Sequence, residues 1–184
     1  MVATAPSMDG YASVGSAFIL KDTKISLDSM PPNIIIGDVD VLKNAPMDMI
    51  VAGLGDMLGK YSSLRDWKLA HIINGEYHCS IVEHMVISSL DRCIENIEGY
   101  ANRDEVAIGH LMEGLVLAGI AMSFIGNSRP ASGSEHHMSH FWELVSLMDG
   151  RDPVAHGIQV GIGTLITTGL AKKLIDIDLN FDLI

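Results

Sequence analysis

A cluster of histidines in the second half of the chain has the clearest potential for chemistry. Three of the eight histidines, His136, His137 and His140, lie within five residues. On a helix, His136 and His140 project from one face, one turn apart. Imidazoles at this spacing serve a metal ion, or a metal ion and its substrate, and surface histidines at a polar helix start are the alternative. His156 follows His140 by sixteen residues, and a bend between two helices would return it to the same place.

A metal site at these histidines needs a further ligand from elsewhere in the chain. A catalytic metal usually takes three protein ligands and keeps one position open. His136 and His156 supply two nitrogens, so the third ligand is expected to be a carboxylate on another helix. Asp56 is the best candidate, because it is the lone acid of an apolar, glycine-rich stretch and a buried carboxylate without a cation is costly. By itself, Asp56 fits a surface position equally well.

Length and composition limit the classes of protein to which the chain can belong. Its 184 residues suffice for one domain with a real core. The 48% hydrophobic content, with eleven methionines and 5% aromatic residues, favours a helix-rich domain with a Met- and Leu-filled interior. A net charge of −11 argues against a nucleic-acid partner, since phosphate binding needs a basic face. An anionic small substrate stays compatible, because a metal and local donors can outweigh the overall field.

The cysteines and the apolar stretches indicate where the protein works. Cys79 and Cys93 fit neither a CxxC pattern nor a disulfide framework, so a reducing cytoplasm is the expected compartment. The N-terminus lacks a basic region followed by an apolar run, the pattern of a signal peptide. The most apolar stretch, residues 114–125, is too short to span a bilayer. We therefore expect a buried core helix and no membrane span.

The pattern of apolar residues changes near residue 45. Short apolar runs at 17–20 and 33–36 predict strands, which are too few to form a stable sheet by themselves. From Pro46 onward the pattern predicts helices. The first starts at Pro46, and three more cover 64–73, 80–97 and 104–125. A histidine helix capped by Ser132 or Ser134 follows, and the last helix carries His156 near its start.

The glycines of the first predicted helix need a separate explanation. Gly53, Gly55 and Gly59 weaken a helix unless close packing requires them. Their spacing superficially resembles a dinucleotide fingerprint. That interpretation is rejected, because the last glycine is one place too far along and no strand directly precedes the motif.

Four motifs together indicate a family. They are TAPSMDGYAS at 4–13, AGLGDMLGK at 52–60, SRPASGSEHHMSHFWE at 128–143 and HGIQVG at 156–161. The sequence resembles the glycerol-1-phosphate dehydrogenase family in these motifs, in their order and in their separations. This family belongs to the iron-containing alcohol dehydrogenase and dehydroquinate synthase-like superfamily. The resemblance covers nearly the whole chain. The resemblance implies a mainly α fold: a helical metal- and substrate-binding domain at 46–184, preceded at 1–45 by a short β-containing remnant of the nucleotide-binding domain.

The resemblance also implies roles for individual residues. Asp56, His136 and His156 match the three metal ligands, with zinc or nickel as the ion. His140 matches a substrate-contacting histidine and is a plausible catalytic member of a proton relay; the other implied substrate contacts are Asp9 and Asp56. The NAD(P) cofactor is implied to touch Thr4, Ser7 and Ser13. His137 has no such role, although a one-residue shift would exchange it with His136.

The implied reaction is the reversible NAD(P)-dependent reduction of dihydroxyacetone phosphate, a small phosphorylated ketone, to sn-glycerol 1-phosphate. The metal would polarise the ketone oxygen as a Lewis acid. Arg129 and Lys60 are candidates for the substrate phosphate by charge alone, and solvated surface cations are the alternative for both.

The chain departs from the family at both ends. Family members carry a nucleotide-binding domain ahead of the Thr4 motif and continue well beyond the His156 helix. We therefore expect a piece of a dehydrogenase with little or no activity alone; the alternatives are a non-catalytic metal-binding remnant and a metal-dependent dehydroquinate synthase-like lyase, which fits the SGSEHH motif less well. An apolar surface is expected where the other parts would pack, and it would favour self-association, including a homo-oligomer.

Overall fold

A computed structural model describes residues 1–13, 15–20 and 23–175 of the protein. These residues form one β-hairpin and a bundle of helices. The strands are β1 (Gly15–Leu20) and β2 (Thr23–Asp28). The helices are α1 (Val39–Leu42), α2 (Met47–Asn74), α3 (Ser80–Glu95), α4 (Glu105–Ile125), α5 (Ser134–Met148) and α6 (His156–Ile175), with short 3₁₀ turns at Gly10–Ala12 and Ile97–Gly99. The mainly α fold class predicted from the sequence is confirmed.

The N-terminal strands differ in part from the prediction. The strand predicted at 17–20 lies within β1, which pairs antiparallel with β2. The strand predicted at 33–36 is wrong, because Ile36 makes only an isolated parallel bridge with Val2. β1 turns back on β2 instead, and the backbone of Ile36 bonds to the N-terminal residues, accepting from the amide of Ala3 at 2.9 Å. β2 has no apolar run that would predict a strand, because polar residues alternate with its two apolar ones.

The two helices predicted between Pro46 and residue 73 are one. α2 continues without a break to Asn74 and ends at Gly75, which adopts φ 68° in the left-handed region. The prediction of two helices is therefore wrong. Ser62 and Ser63 are instead buried inside the bundle, where the hydroxyl of Ser63 donates to the carbonyl of Lys60 at 3.2 Å.

The start of α5 also differs from the prediction of a Ser132 or Ser134 cap. Gly133 is the capping residue and supplies no side-chain bond. The carboxylate of Asp66, on α2, accepts from the backbone amide of Ser134 at 2.8 Å. The cap is thus supplied by another helix, which a search for local capping residues does not detect.

The main core lies around α4. Ile108, Leu111 and Leu115 of α4 are fully buried against side chains of α2 and α3. Ala3 and Ala5 from the N-terminal segment belong to the same cluster, and the domain boundary at residue 45 stays a prediction. α4 has 21 residues, more than the apolar stretch at 114–125, and it is long and apolar enough to cross a membrane. Half of its most apolar part is buried inside the bundle, as in the core helix of a globular domain.

Exposed apolar side chains lie along α6 and the neighbouring part of α2. Along α6, the side chains of Leu165, Leu170 and Leu174 are between 53% and 74% exposed. They continue onto Leu69 and Ile72 of α2, which are 51% and 71% exposed. Whether this surface drives self-association stays a prediction.

Candidate metal centre

The close approach of α6 to α2 places the two ends of the predicted site side by side. A Cβ atom at Gly55 would lie 2.3 Å from the carbonyl oxygen of Gly157, and one at Gly161 would lie 3.2 Å from the Cα atom of Gly55. Real Cβ atoms do not come within 3 Å of another heavy atom, so the crossing requires glycine at position 55. Packing also explains the other helix-weakening glycines of α2, since Gly59 faces Val160 of α6 and Gly53 faces Pro6. The crossing at Gly55 brings His156 next to Asp56.

Three side chains of types that ligate metals converge from three helices. Asp56 lies on α2, His136 in the first turn of α5 and His156 at the start of α6. One donor atom from each lies within 4.8 Å of the others. The Nε2 atom of His136 is 3.6 Å from Oδ1 of Asp56, and the imidazole centroids of His136 and His156 are 5.1 Å apart. These are the three residues predicted from the sequence to share one site, and the structure brings them together.

Asp56 is fully buried and held from both sides. Its Oδ2 atom accepts from the backbone amide of Asp9 at 2.9 Å, and its Oδ1 atom accepts from the ammonium of Lys60 at 2.9 Å. Burial raises the pKa of Asp56, but the charge of Lys60, with smaller contributions from His136 and His156, lowers it further than burial raises it. Asp56 is therefore an oriented, ionised carboxylate.

Lys60 is buried within the site, so its expected alternatives of phosphate binding or a solvated surface position are wrong. Its Nζ atom lies 2.5 Å from Oδ2 of Asp9, 2.9 Å from Asp56 and 3.1 Å from the carbonyl of Ala131. These partners use all three of its donors. Burial lowers the pKa of Lys60, but the carboxylates of Asp56 and Asp9 more than compensate and raise it. The cation stands one helical turn from Asp56, which places both on one face of α2.

Arg129 is also paired with a carboxylate. Its Nε and Nη2 atoms donate to the two carboxylate oxygens of Glu76 at 2.8 and 2.5 Å. This bidentate pair ties the loop before α5 to the loop after α2. The structure therefore pairs Arg129 with a carboxylate and gives no support to a phosphate contact.

Each site histidine is held at its Nδ1 atom by a buried polar side chain. Nδ1 of His136 lies 2.7 Å from Oε1 of Glu135, and Nδ1 of His156 lies 3.3 Å from the hydroxyl of Ser139. Ser139 donates in turn to the buried amide oxygen of Gln159 at 3.4 Å. Burial raises the pKa of Glu135, but its hydrogen bond with His136 and the charge of that residue lower it more strongly.

The three clustered histidines differ in how exposed their side chains are. His137 is exposed, whereas His136 is 4% exposed, so the one-residue shift considered from the sequence does not occur. His140 is exposed, and its ring centroid lies 5.8 Å from that of His156 and 6.1 Å from that of His136. His140 thus borders the cluster on its solvent side.

The N-terminal motif lies across the bundle beside the site. Asp9 is 7% exposed. Its carboxylate accepts from the ammonium of Lys60, and its backbone amide donates to the carboxylate of Asp56. Thr4 is exposed, while Ser7 and Ser13 are half-buried, and the hydroxyl of Ser13 accepts from the amide of Gly15 at 3.1 Å. The structure brings Asp9 to the cluster; the contact of the other three with a cofactor stays a prediction.

Four residues that support the site were not predicted in that role from the sequence: Glu135, Lys60, Ser139 and Gln159. Glu135 was present only as a member of the histidine motif, although its position directly before His136 was a usable signal. Lys60 follows Asp56 by four residues, a spacing typical of a helical ion pair. Ser139 and Gln159 carried no recognisable signal, because their roles depend on the packing of α5 against α6.

The chemistry of the cluster fits a divalent cation. One carboxylate oxygen and two imidazole nitrogens form a donor set that zinc and related ions use. Three buried carboxylates, Asp9, Asp56 and Glu135, oppose the single ammonium of Lys60, which leaves a formal charge of −2 when the imidazoles are neutral. A divalent ion would balance this charge.

Comparisons with known proteins agree with the fold. A family profile described as iron-containing alcohol dehydrogenase matches residues 1–46. A crystal structure of a probable glycerol dehydrogenase from Sinorhizobium meliloti 1021 superposes with a TM-score of 0.63 at 19% identity, covering 89% of this chain and 47% of that one. The glycerol dehydrogenase from Schizosaccharomyces pombe gives 0.59 at 20% identity, covering 93% and 44%. The chain has the fold of the glycerol dehydrogenase and iron-containing alcohol dehydrogenase class.

Within that class the sequence relationship is narrower. The chain is 42% identical over 172 residues to a glycerol-1-phosphate dehydrogenase [NAD(P)+] of Halalkalibacterium halodurans, covering 94% of this chain and 43% of the relative. It is 38% identical over 163 residues to the enzyme of that name from Pyrococcus horikoshii, covering 89% and 46%. The chain is therefore a homologue of the glycerol-1-phosphate dehydrogenases, as the resemblance predicted. It spans less than half the length of these curated relatives.

Proposed function

We propose that the chain forms the metal- and substrate-binding part, residues 46–184, of an NAD(P)-dependent glycerol-1-phosphate dehydrogenase, with one zinc or nickel ion. The convergence of Asp56, His136 and His156 on one point carries the proposal. The sequence relationship to enzymes of that name supports the reaction. The cytoplasm is the proposed compartment, in keeping with the free thiols of Cys79 and Cys93.

The three ligand side chains would hold the ion between α2, α5 and α6. When bound, the ion supplies the Lewis acidity that polarises the ketone oxygen of the substrate. Lys60 and the backbone amide of Asp9 keep the carboxylate of Asp56 oriented.

His140 is the proposed proton-transfer residue. It stands at the exposed side of the cluster, beside the rings of His136 and His156. An imidazole there can exchange a proton with the substrate hydroxyl while solvent restores its protonation state. Asp9 and Asp56 are the proposed further substrate contacts.

The nicotinamide of NAD(P) supplies the hydride. Thr4, Ser7 and Ser13 are the proposed contacts to this cofactor, within the segment 1–45 that we assign to the nucleotide-binding side. This segment packs directly on the metal-site helix: a Cβ atom at Gly53 would lie 1.9 Å from the carbonyl oxygen of Pro6. The segment is thus positioned to bring the cofactor to the substrate.

Metal content is the direct test of the proposed site. We expect about one zinc or nickel ion per chain after dialysis against either metal, measured by elemental analysis. His136→Ala should lose the ion, and the neighbouring exposed His137→Ala should retain it. A wild-type chain that cannot be loaded, or equal loss in both variants, would contradict the site.

Substrate binding tests the proposed substrate site and the role of His140. Calorimetric titration of the zinc-loaded chain with dihydroxyacetone phosphate should show binding that His140→Ala weakens at unchanged metal content. Consumption of NADH or NADPH with this substrate should be low or undetectable for the chain alone, and robust turnover would overturn that expectation. A loaded chain that binds neither dihydroxyacetone phosphate nor sn-glycerol 1-phosphate would favour a non-catalytic metal-binding protein.

A further inference from the structure

The side chain of Glu135 is enclosed at the start of α5, directly beside the metal-site histidine. It is fully buried, and its Oε1 atom accepts from the backbone amide of Gly133 at 2.7 Å. The same oxygen lies 2.7 Å from Nδ1 of His136. A buried carboxylate is costly unless it has specific partners, and these two groups, with the hydroxyl of Ser62, supply them.

Packing prevents Glu135 from moving away. A Cβ atom at Gly163 of α6 would lie 2.7 Å from the backbone oxygen of Glu135, and one at Gly133 would lie 2.9 Å from its Oε2 atom. Glycines at both positions therefore let neighbouring backbone close over this residue. The carboxylate is therefore held beside His136 and the Gly133 amide.

The hydrogen bond decides which nitrogen of His136 faces the ion. A carboxylate accepts hydrogen bonds and does not donate them, so Nδ1 of His136 must carry the proton. In the neutral ring the lone pair then lies on Nε2, the atom that stands 3.6 Å from Oδ1 of Asp56. Nε2 is the nitrogen that the proposed site requires as a ligand.

We propose that Glu135 is a positioning residue that holds His136 in the Nδ1-protonated tautomer and aims its Nε2 atom at the metal. This inference depends on the proposed metal site. A carboxylate on the second ring nitrogen of a ligating histidine fixes the orientation of the ring, and loss of such a partner lowers metal affinity.

Two substitutions separate the charge of Glu135 from its shape. Glu135→Gln keeps the size but removes the charge, and its amide can present either a donor or an acceptor to His136. Glu135→Leu removes the acceptor. Zinc affinity, measured by competition with a chromophoric chelator at neutral pH, should fall by about 10–100-fold in Glu135→Leu. Glu135→Gln should lie between Glu135→Leu and wild type.

A cap variant provides the matched structural control. Asp66→Ala removes the carboxylate that accepts from the amide of Ser134, so it weakens the same end of α5 without touching His136. It should lower the unfolding midpoint in urea and leave zinc affinity within about threefold of wild type, since no site histidine loses a partner. Equal losses of zinc affinity in Asp66→Ala and Glu135→Gln would reduce Glu135 to a structural role and overturn the inference.

The tautomer provides a second measurement that needs no metal. In ¹⁵N-labelled, metal-free protein, the ring nitrogens of His136 should show a proton on Nδ1, and Glu135→Gln should mix the two tautomers. Unchanged tautomer and unchanged zinc affinity in both Glu135 variants, with a wild-type chain that binds zinc, would overturn this inference alone. A wild-type chain that binds no zinc would instead overturn the proposed metal site and this inference with it.

Discussion

Gly157 lies so close to α2 that a Cβ atom on it would stand 1.8 Å from the carbonyl oxygen of Ala52. Gly157 directly follows His156, and Ala52 precedes Asp56 by one turn of α2. The contact therefore sets the distance between two of the three proposed metal ligands. A larger residue must push the helices apart.

The Gly157→Ala variant should accordingly lose both stability and metal. The clash is with backbone and cannot be relieved by a side-chain rotation, so we expect a loss of about 1–3 kcal/mol. Urea unfolding and elemental analysis measure the two effects. Gly169→Ala on the same helix is the control: a Cβ atom there meets nothing within 4 Å, and the variant should gain about 0.5–1 kcal/mol. Equal behaviour of the two variants would contradict the role of the crossing.

Removal of the buried cation should be costly. Lys60→Met leaves Asp9 and Asp56 buried without their shared ammonium, and breaking a buried ion pair costs about 3–5 kcal/mol. Saturating zinc should restore part of this loss, because a divalent ion neutralises the same carboxylates. Urea unfolding with and without zinc tests both expectations. The surface Lys43→Met, which breaks exposed pairs with Asp40 and Glu105, should change stability little.

Acid should weaken the start of α5 through Asp66. Burial raises the pKa of Asp66, but hydrogen bonds from the hydroxyl and backbone amide of Ser134 hold it below its ordinary value of 3.8. A carboxyl with a lowered folded-state pKa contributes stability that is complete above the unfolded-state pKa and disappears as the pH falls through the folded-state pKa. The loss is therefore expected below about pH 4.

The Asp66→Asn variant tests whether the loss of stability in acid comes from protonation of Asp66. Asparagine keeps an oxygen that can cap the helix but does not titrate in this range. The difference in unfolding free energy between wild type and Asp66→Asn should stay constant near neutral pH and shrink below about pH 4. A constant difference across the whole range would show that Asp66 contributes no proton linkage.

The two thiols should differ sharply in reactivity. Hydrogen bonds from the backbone amides of Val82 and Ile81 outweigh burial and lower the pKa of Cys79. Burial raises the pKa of Cys93 to about 11, and its side chain is fully enclosed. Iodoacetamide at mildly alkaline pH should label Cys79 in the native protein and reach Cys93 only after denaturation, as followed by mass spectrometry. Equal native labelling would contradict the enclosure of Cys93.

Local patterns predicted much of this protein. The apolar spacing of α3 and α4 and the breakers between α4 and α5 identified those elements, because helix periodicity and turn chemistry are properties of neighbouring residues. The predicted strand at 33–36 was wrong for the same reason: an apolar run indicates a strand only if another strand is available to pair with it.

The sequence by itself determined which residue types were available for chemistry: an isolated acid at Asp56 and histidines at 136, 140 and 156, in motifs that identified the family. Only the tertiary structure decided how they are supported. Lys60 lies between two carboxylates, Glu135 holds His136, and Asp66 caps a helix to which it does not belong. These relationships join residues from separate elements or depend on which direction a side chain faces. They follow from glycine-mediated helix crossings, whose geometry no local pattern encodes.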